Sequence, residues 1–258
     1  MGTGAITSYF DVAQIVLYAF WIFFAGLIMY LHRENKREGY PLESDRSARA
    51  PRVPIVGFPD LPAPKTFRLA GGRTVSVPCA ETDDREIKAK PAAAHPGAPL
   101  VPTGNPMVDA VGPAAYALRE DKPELADDGK PSIVPMRSVP GFSIDEGDPD
   151  PVGMPVIAAD GARAGVVAEV WIDRAEPQIR YFEVAIPSGV KVLLPIHYTV
   201  LDRARGQLDV QAILASQFAD VPTIAAADRI TKREEDRITA YYAGGKLYAT
   251  AARSEPLL

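Results

Sequence analysis

The chain has 258 residues, 47% hydrophobic and 24% charged, an ordinary globular composition that excludes a collagen-like, acidic-tail or wholly disordered protein. Its 28 Lys and Arg against 33 Asp and Glu leave a net charge of -5, so the totals do not advertise a nucleic-acid partner. One cysteine, Cys79, and three histidines, His32, His95 and His197, leave no material for a disulfide framework, a thiolate zinc site, an iron–sulfur cluster or a haem-attachment motif.

Residues 12–31 read VAQIVLYAFWIFFAGLIMYL, twenty residues without a charge. At about 1.5 Å per residue they make a helix of roughly 30 Å, the thickness of a bilayer's hydrocarbon core. Ser8 to Asp11 has the spacing of a helix start, Tyr9, Trp21 and Tyr30 supply aromatics, and HRENKRE, residues 32–38, closes the far end. A cleaved signal peptide fits poorly, because residues 1–11 carry no Lys or Arg and the apolar core is too long. Positive charge lies after the span, at Arg33, Lys36, Arg37, Arg46, Arg49 and Arg52, which predicts a single-pass protein with residues 1–11 outside and the bulk of the chain cytoplasmic. Ala19, Ile22 and Gly26 form a stripe at helical spacing along which a partner helix could approach closely, although no GxxxG is present.

From Pro41 to Pro155 the chain carries 20 of its 25 prolines, too many for ordinary helices, so residues 32–154 are expected to be extended and irregular, and ordered where they lie against another surface. Within them Lys65–Leu69 and Arg73–Val77, joined at Ala70-Gly71-Gly72, read as a β-hairpin. Arg46–Pro54 and Glu81–Pro96 read as the most loop-like pieces. Residues 155–258 read as a small antiparallel barrel of the partly open kind with a short C-terminal helix. Its expected strands are Val156–Ala158, Gly165–Ile172, Ile179–Ile186, Val190–Pro195, Thr199–Asp202 and Leu208–Ala212, with turns at Asp160-Gly161, Ser188-Gly189 and Arg205-Gly206. Thr231 and Glu234 form a capping box that opens a helix over Lys232–Ala243, which Gly244-Gly245 is expected to stop.

No nucleophile elbow, phosphate-binding loop, dinucleotide turn, H-E-x-x-H helix or C-x-x-C pair is present, which argues against an independent enzyme. Asp145, Glu146, Asp148 and Asp150 lack the spacing of a calcium loop and read as a solvated acidic loop. Glu124, Asp127 and Asp128 beside Gly129 read as a turn, although clustered surface acids also collect cations or protons. In WIDRAEPQIRYFEV, residues 171–184, Asp173, Glu176 and Arg180 crowd the connection between two strands. Like charge raises a carboxylate pKa and a guanidinium lowers it, so one acid there can be poised to exchange protons; an exposed hairpin with an ion pair is the simpler reading of the spacing alone.

The strings Phe10-Asp11, YAFWIF at 18–23, REGYPLE at 37–43, PKTF at 64–67 and PTGNPMVDAVGPAAY at 102–116 resemble the H subunit of the photosynthetic reaction centre of purple bacteria. So do VWID at 170–173, FADVPTI at 218–224 and EEDRITAYYAGGKLYA at 234–249, and the likeness runs nearly end to end. The resemblance implies one transmembrane helix, a PRC-barrel-like cytoplasmic domain and a place in the inner, intracytoplasmic membrane with the N-terminus periplasmic. It implies a subunit without pigment or enzymatic activity of its own. Its partners would be the L and M subunits, which hold bacteriochlorophyll, bacteriopheophytin, quinones and non-haem iron, with a cytochrome subunit, a light-harvesting antenna ring and membrane lipids around them.

The resemblance further implies that the subunit caps the cytoplasmic side of L and M and supports proton delivery to the secondary quinone. Asp173, Glu176 and Arg180 match the family's acid, acid and guanidinium positions, and Glu124 matches an acid at the proton entrance, with Asp127 and Asp128 beside it. Asp128 and Lys130 stand where some members carry a metal-binding histidine pair, so no metal site of that type is expected. Arg33, Lys36, Arg37 and Tyr40 are expected to meet lipid headgroups or partner loops. The competing reading, a membrane-tethered barrel adaptor for an RNA-processing or other cytoplasmic partner, is disfavoured by the negative net charge and the absence of interleaved basic and aromatic residues.

Overall fold

The computed structural model describes residues 11–40, 42–43, 54–79, 83, 85–95 and 97–254. Ser8, Tyr9 and Phe10, the cations Arg46, Arg49 and Arg52, and most of the 46–54 loop lie outside the described residues. The chain divides into two compact units, Met1–Asp84 with Ala93–Ala98, and Arg85–Ala92 with Pro99–Leu258. Residues 99–154, which composition groups with the proline-rich stretch, thus cluster with the barrel region, because they contribute a strand and buried side chains to it.

In the first unit, α1 spans Val12–Asn35 with no buried residue, the condition of a helix whose apolar surface is left for lipid or other helices. Asp11 itself is the N-cap, its carboxylate accepting from the Gln14 N–H at 2.7 Å. The helix continues four residues past Leu31, through the polar HREN, before Lys36 closes it with N–H bonds to Arg33 and Glu34. Beyond it, β1 (Leu42–Glu43) pairs antiparallel with β2 (Pro54–Ile55). The expected hairpin is present, β3 (Lys65–Arg68) against β4 (Thr74–Val77) around a 3-10 turn at Ala70–Gly72. Phe58, Phe67, Leu69 and Val75 remain exposed there, surface that a self-contained fold would cover.

The second unit opens with β5 (Ala89–Pro91) paired to β6 (Leu100–Pro102), so part of the expected 81–96 loop is strand. Its main sheet has seven strands: β7 (Ile133–Pro135), β8 (Pro155–Ile157), β9 (Arg163–Asp173), β10 (Gln178–Ala185), β11 (Lys191–Pro195), β12 (Thr199–Asp202) and β13 (Gln207–Val210). The order is β11-β10-β9-β8-β13-β12, with β7 added on β9. Two features depart from the sequence reading. β8 and β13 run parallel, so the barrel is mixed rather than purely antiparallel. β7 was not expected, because three residues ending in proline carry too little alternation to register as a strand; it pairs Ile133–Pro135 with Asp173–Trp171. Left-handed glycines at 161, 189 and 206 supply the expected turns.

The core gathers around Trp171, Leu194, Leu208, Phe218, Ile238 and Tyr242, each at most 1% exposed. Helix α2 spans Lys232–Tyr248 and starts on the expected capping box. It does not stop at Gly244-Gly245. A Cβ on Gly244 would stand 2.6 Å from the Ala114 Cβ, and one on Gly245 would stand 2.6 Å from the Ala212 carbonyl oxygen. The glycine pair is therefore the surface through which the helix meets its neighbours, a tertiary demand that outweighs the cost of glycine inside a helix.

Candidate functional site

Asp173 ends β9, where the chain turns toward β10. Its Oδ1 accepts from the Ser132 hydroxyl at 2.5 Å, the Ala175 N–H at 2.9 Å and the Glu176 N–H at 3.3 Å. Burial pushes its carboxyl up, but Ser132, the two N–H groups and the nearby Arg180 outweigh burial and hold it below the ordinary aspartate range. Asp173 is thus a fixed anion that shapes the 173–178 turn. Glu176, in that turn, is exposed and accepts from the Gln178 amide at 3.2 Å.

The 124–132 hairpin lies against the same turn. Ser132, from that hairpin, is the donor to Asp173, and Arg174 donates to the Pro131 carbonyl at 3.1 Å and to Asp128 Oδ2 at 2.5 Å. The Arg174 bond, then the Lys130 N–H, hold Asp128 below the ordinary range. Its other oxygen accepts that N–H at 3.0 Å, so Asp128 builds the turn and anchors it. Glu124 and Asp127 are exposed. The two acidic groups that the sequence separates by some fifty positions therefore form one patch, tied together by Ser132 and Arg174.

Arg180 sits at a register shift between Ile179 and Tyr181, where β10 carries one residue more than β9. A bulge of this kind lets consecutive side chains serve one side of the strand. Arg180 Nη2 lies 3.6 Å from Glu235 Oε2, and the Tyr181 hydroxyl donates to the same oxygen at 3.1 Å. Burial raises Glu235 above the ordinary glutamate range, the Tyr181 bond and the Arg180 and Arg119 charges offset part of that, and Glu124 adds to it. Burial likewise pushes the Tyr181 phenol up, so Tyr181 is a permanent donor. Neither Ser132 nor Glu235 was picked out from the sequence. Glu235 stands next to the capping-box acid Glu234, and a second acid in a helix's first turn reads as ordinary dipole complementation.

The juxtamembrane residues are placed within the first unit. Lys36 is 2% exposed, its ammonium donating to the Val56 and Pro59 carbonyls at 2.7 and 2.5 Å and lying 5.3 Å from the Tyr40 ring centre. Arg37 grips Glu34 with two 2.8 Å bonds and reaches the Ala63 and Val77 carbonyls. Tyr40 is half-buried and Arg33 exposed. Among the described residues no group of three or more His, Cys, Asp or Glu is placed to hold a metal ion. The acids of the 145–150 loop build turns instead, Asp145 accepting from Gly147 and Asp150 from Val152, while Asp148 pairs with Arg203.

These elements define a protein with one helix long and apolar enough to cross a membrane, and a mixed sheet unit that packs a C-terminal helix against an acid and guanidinium patch. The chain matches the photosynthetic reaction centre, H-chain N-terminal region over residues 4–138, more than half its length, and the PRC-barrel domain over residues 144–214. It belongs to the photosynthetic reaction-centre H-chain family.

Proposed function

We propose that this chain caps the cytoplasmic side of the L and M subunits of a light-driven reaction centre and passes protons toward the secondary quinone. It holds no pigment itself; the bacteriochlorophyll, bacteriopheophytin, quinones and iron belong to its partners. In this reading α1 crosses the inner membrane with its N-terminus periplasmic and packs on partner helices, while Arg33 meets lipid or partner groups at the cytoplasmic boundary. A cytochrome subunit and an antenna ring complete the surroundings.

The observation that carries the reading is the union of the 124–132 hairpin with the Asp173–Arg180 turn in a chain of this family. A doubly reduced quinone needs two protons from water, and a sealed site receives them along acids with fixed positive and negative neighbours. The ion pairs and hydrogen bonds divide the labour. Asp128 and Asp173 are committed as anions, Arg174 and Arg180 balance them, and the exposed Glu124, Asp127 and Glu176 face water.

Glu176→Gln keeps the side chain's size and its contact with Gln178 but cannot exchange a proton. In the intact complex it slows the second, proton-coupled reduction of the quinone more than the first electron transfer, as flash spectroscopy would resolve. Equal slowing of both steps, or of neither, would make Glu176 a structural turn residue.

A further inference from the structure

Two glutamates open α2 side by side, and only one of them caps backbone. Glu234 spends both oxygens on backbone, accepting from the Ala225 N–H at 2.7 Å and the Thr231 N–H at 2.8 Å. Glu235 caps nothing. Its side chain is 10% exposed and turned to the sheet, where Tyr181 is its one hydrogen-bond donor among the described residues. A buried carboxylate with a single neutral donor and an ion-paired guanidinium at 3.6 Å, just outside hydrogen-bond distance, is incompletely solvated as an anion and can also be accommodated as a neutral acid.

Its surroundings join the two halves of the patch. From β10 come Arg180, which also acts on Asp173, and Tyr181, whose hydroxyl lies beside Thr239 of α2. From the segment before β7 come Arg119, bonded to Asp236 at 3.1 Å, and Glu124. That segment is fastened along the start of α2: Lys232 N–H donates to the Lys122 carbonyl at 3.0 Å, the Thr231 hydroxyl to Asp121 at 2.8 Å and Arg233 to the Arg119 carbonyl at 3.0 Å. The Arg180 side chain is a third exposed, so water reaches the pair from that side.

We propose that Glu235 is the acid of this patch that takes up and gives back a proton, a relay residue between Glu124 and the Arg180 end of the Asp173–Glu176 turn. The proposal rests on the proton-handling reading above and names the residue that does the exchanging. In uptake, hydronium at the Glu124 side gives its proton to a Glu235 carboxylate oxygen and leaves as water. The neutral acid no longer balances Arg180, whose charge is then directed wholly at Asp173. In release, the Glu235 O–H bond breaks toward water at the Arg180 side, the electron pair stays on the carboxylate, and the Arg180–Glu235 pair reforms. Burial and Glu124 favour the acid, while the Tyr181 bond, Arg180 and Arg119 favour the anion, so neither form is locked.

The test has two arms. In the first, the full-length chain in detergent is titrated while the protonated-carboxyl band is followed by infrared spectroscopy. Wild type is expected to lose a band component above the ordinary glutamate range that Glu235→Gln lacks. Tyr181→Phe, which removes a bond that favours the anion, moves that component to higher pH. Unchanged titration in both variants overturns the proposal, and the Tyr181→Phe shift decides it should Glu235→Gln fail to fold. In the second arm, Glu235→Gln in the intact complex is expected to slow flash-induced proton uptake severalfold while sparing the first electron transfer. Wild-type uptake kinetics overturn the relay although the infrared component is real. A wild-type complex that takes up no protons after flashes refutes the proposed function itself, and the infrared arm still reads Glu235, so the two failures are distinguishable.

Discussion

At the scale of single residues, the patch is built by giving chemically similar acids different environments. Asp173, with three donors on one oxygen, is an anion on which the fold depends, and Ser132 is its shortest bond. Ser132→Ala should cost about 1.5–3 kcal/mol, the range for hydrogen bonds to charged groups. The sign of the pH effect follows from the lowered pKa: stability from Asp173 is full above the ordinary aspartate range and is lost as pH falls through its depressed value. Ser132→Ala brings that value up, so acid unfolding of the full-length chain, followed by circular dichroism, should start at higher pH than in wild type. Glu235 runs the other way. Its raised pKa means that its contribution is full below the ordinary glutamate range and is lost as pH rises through the raised value. Glu235→Gln should therefore gain stability relative to wild type in urea as pH rises toward neutrality, and match it in acid. A constant difference across pH would mean that Glu235 does not titrate on folding.

At the scale of elements, local signals were legible and tertiary ones were not. The Thr231–Glu234 capping box, the 65–77 hairpin and the strand turns are written in neighbouring residues, and the structure has them. The end of α2 is not, since Gly-Gly reads locally as a stop and only Ala114 and Ala212 reveal it as a contact. Gly244→Ala gains about 1 kcal/mol in helix propensity but forces a methyl onto Ala114, an overpacking cost of about 1–3 kcal/mol. The expected net effect is a lower melting temperature, and a higher one would show that α2 can shift without loss. β7 and the parallel β8–β13 pair escaped because two- and three-residue ladders carry no period. The patch was half legible: Asp173, Glu176 and Arg180 crowd one stretch of sequence, whereas Ser132 and Glu235 arrive from 41 and 54 residues away from the partners they bond.

At the end of α1 the basic run separates into two jobs. Lys36 and Arg37 fold the chain back on the helix end through carbonyls, and Arg33 is left outward. Lys36→Met removes two charge-assisted bonds and should expose the Gly57–Pro59 turn to protease at any ionic strength. Arg33→Gln should leave the turn protected and weaken retention in the complex only as salt is raised, because exposed charge pairs are screened over about 10 Å at 0.1 M salt. Equal salt dependence for both variants would contradict the division.

Across the whole molecule, the exposed apolar residues of α1 and of the first unit are surface that makes sense when covered. The sheet unit has its own core, and its acid patch sets an aspartate held as an anion near a buried glutamate whose pKa is raised. On the proposed function, one chain joins an assembly-dependent anchor to a proton-handling domain. That reading is tested most directly by measuring flash-induced proton uptake with a pH-indicating dye on the complex, on the complex stripped of this chain, and after the chain is added back. Stripping is expected to slow proton uptake and the second quinone reduction while leaving the first electron transfer nearly unchanged, and adding the chain back is expected to restore both. Uptake at the wild-type rate in the stripped complex would contradict that reading.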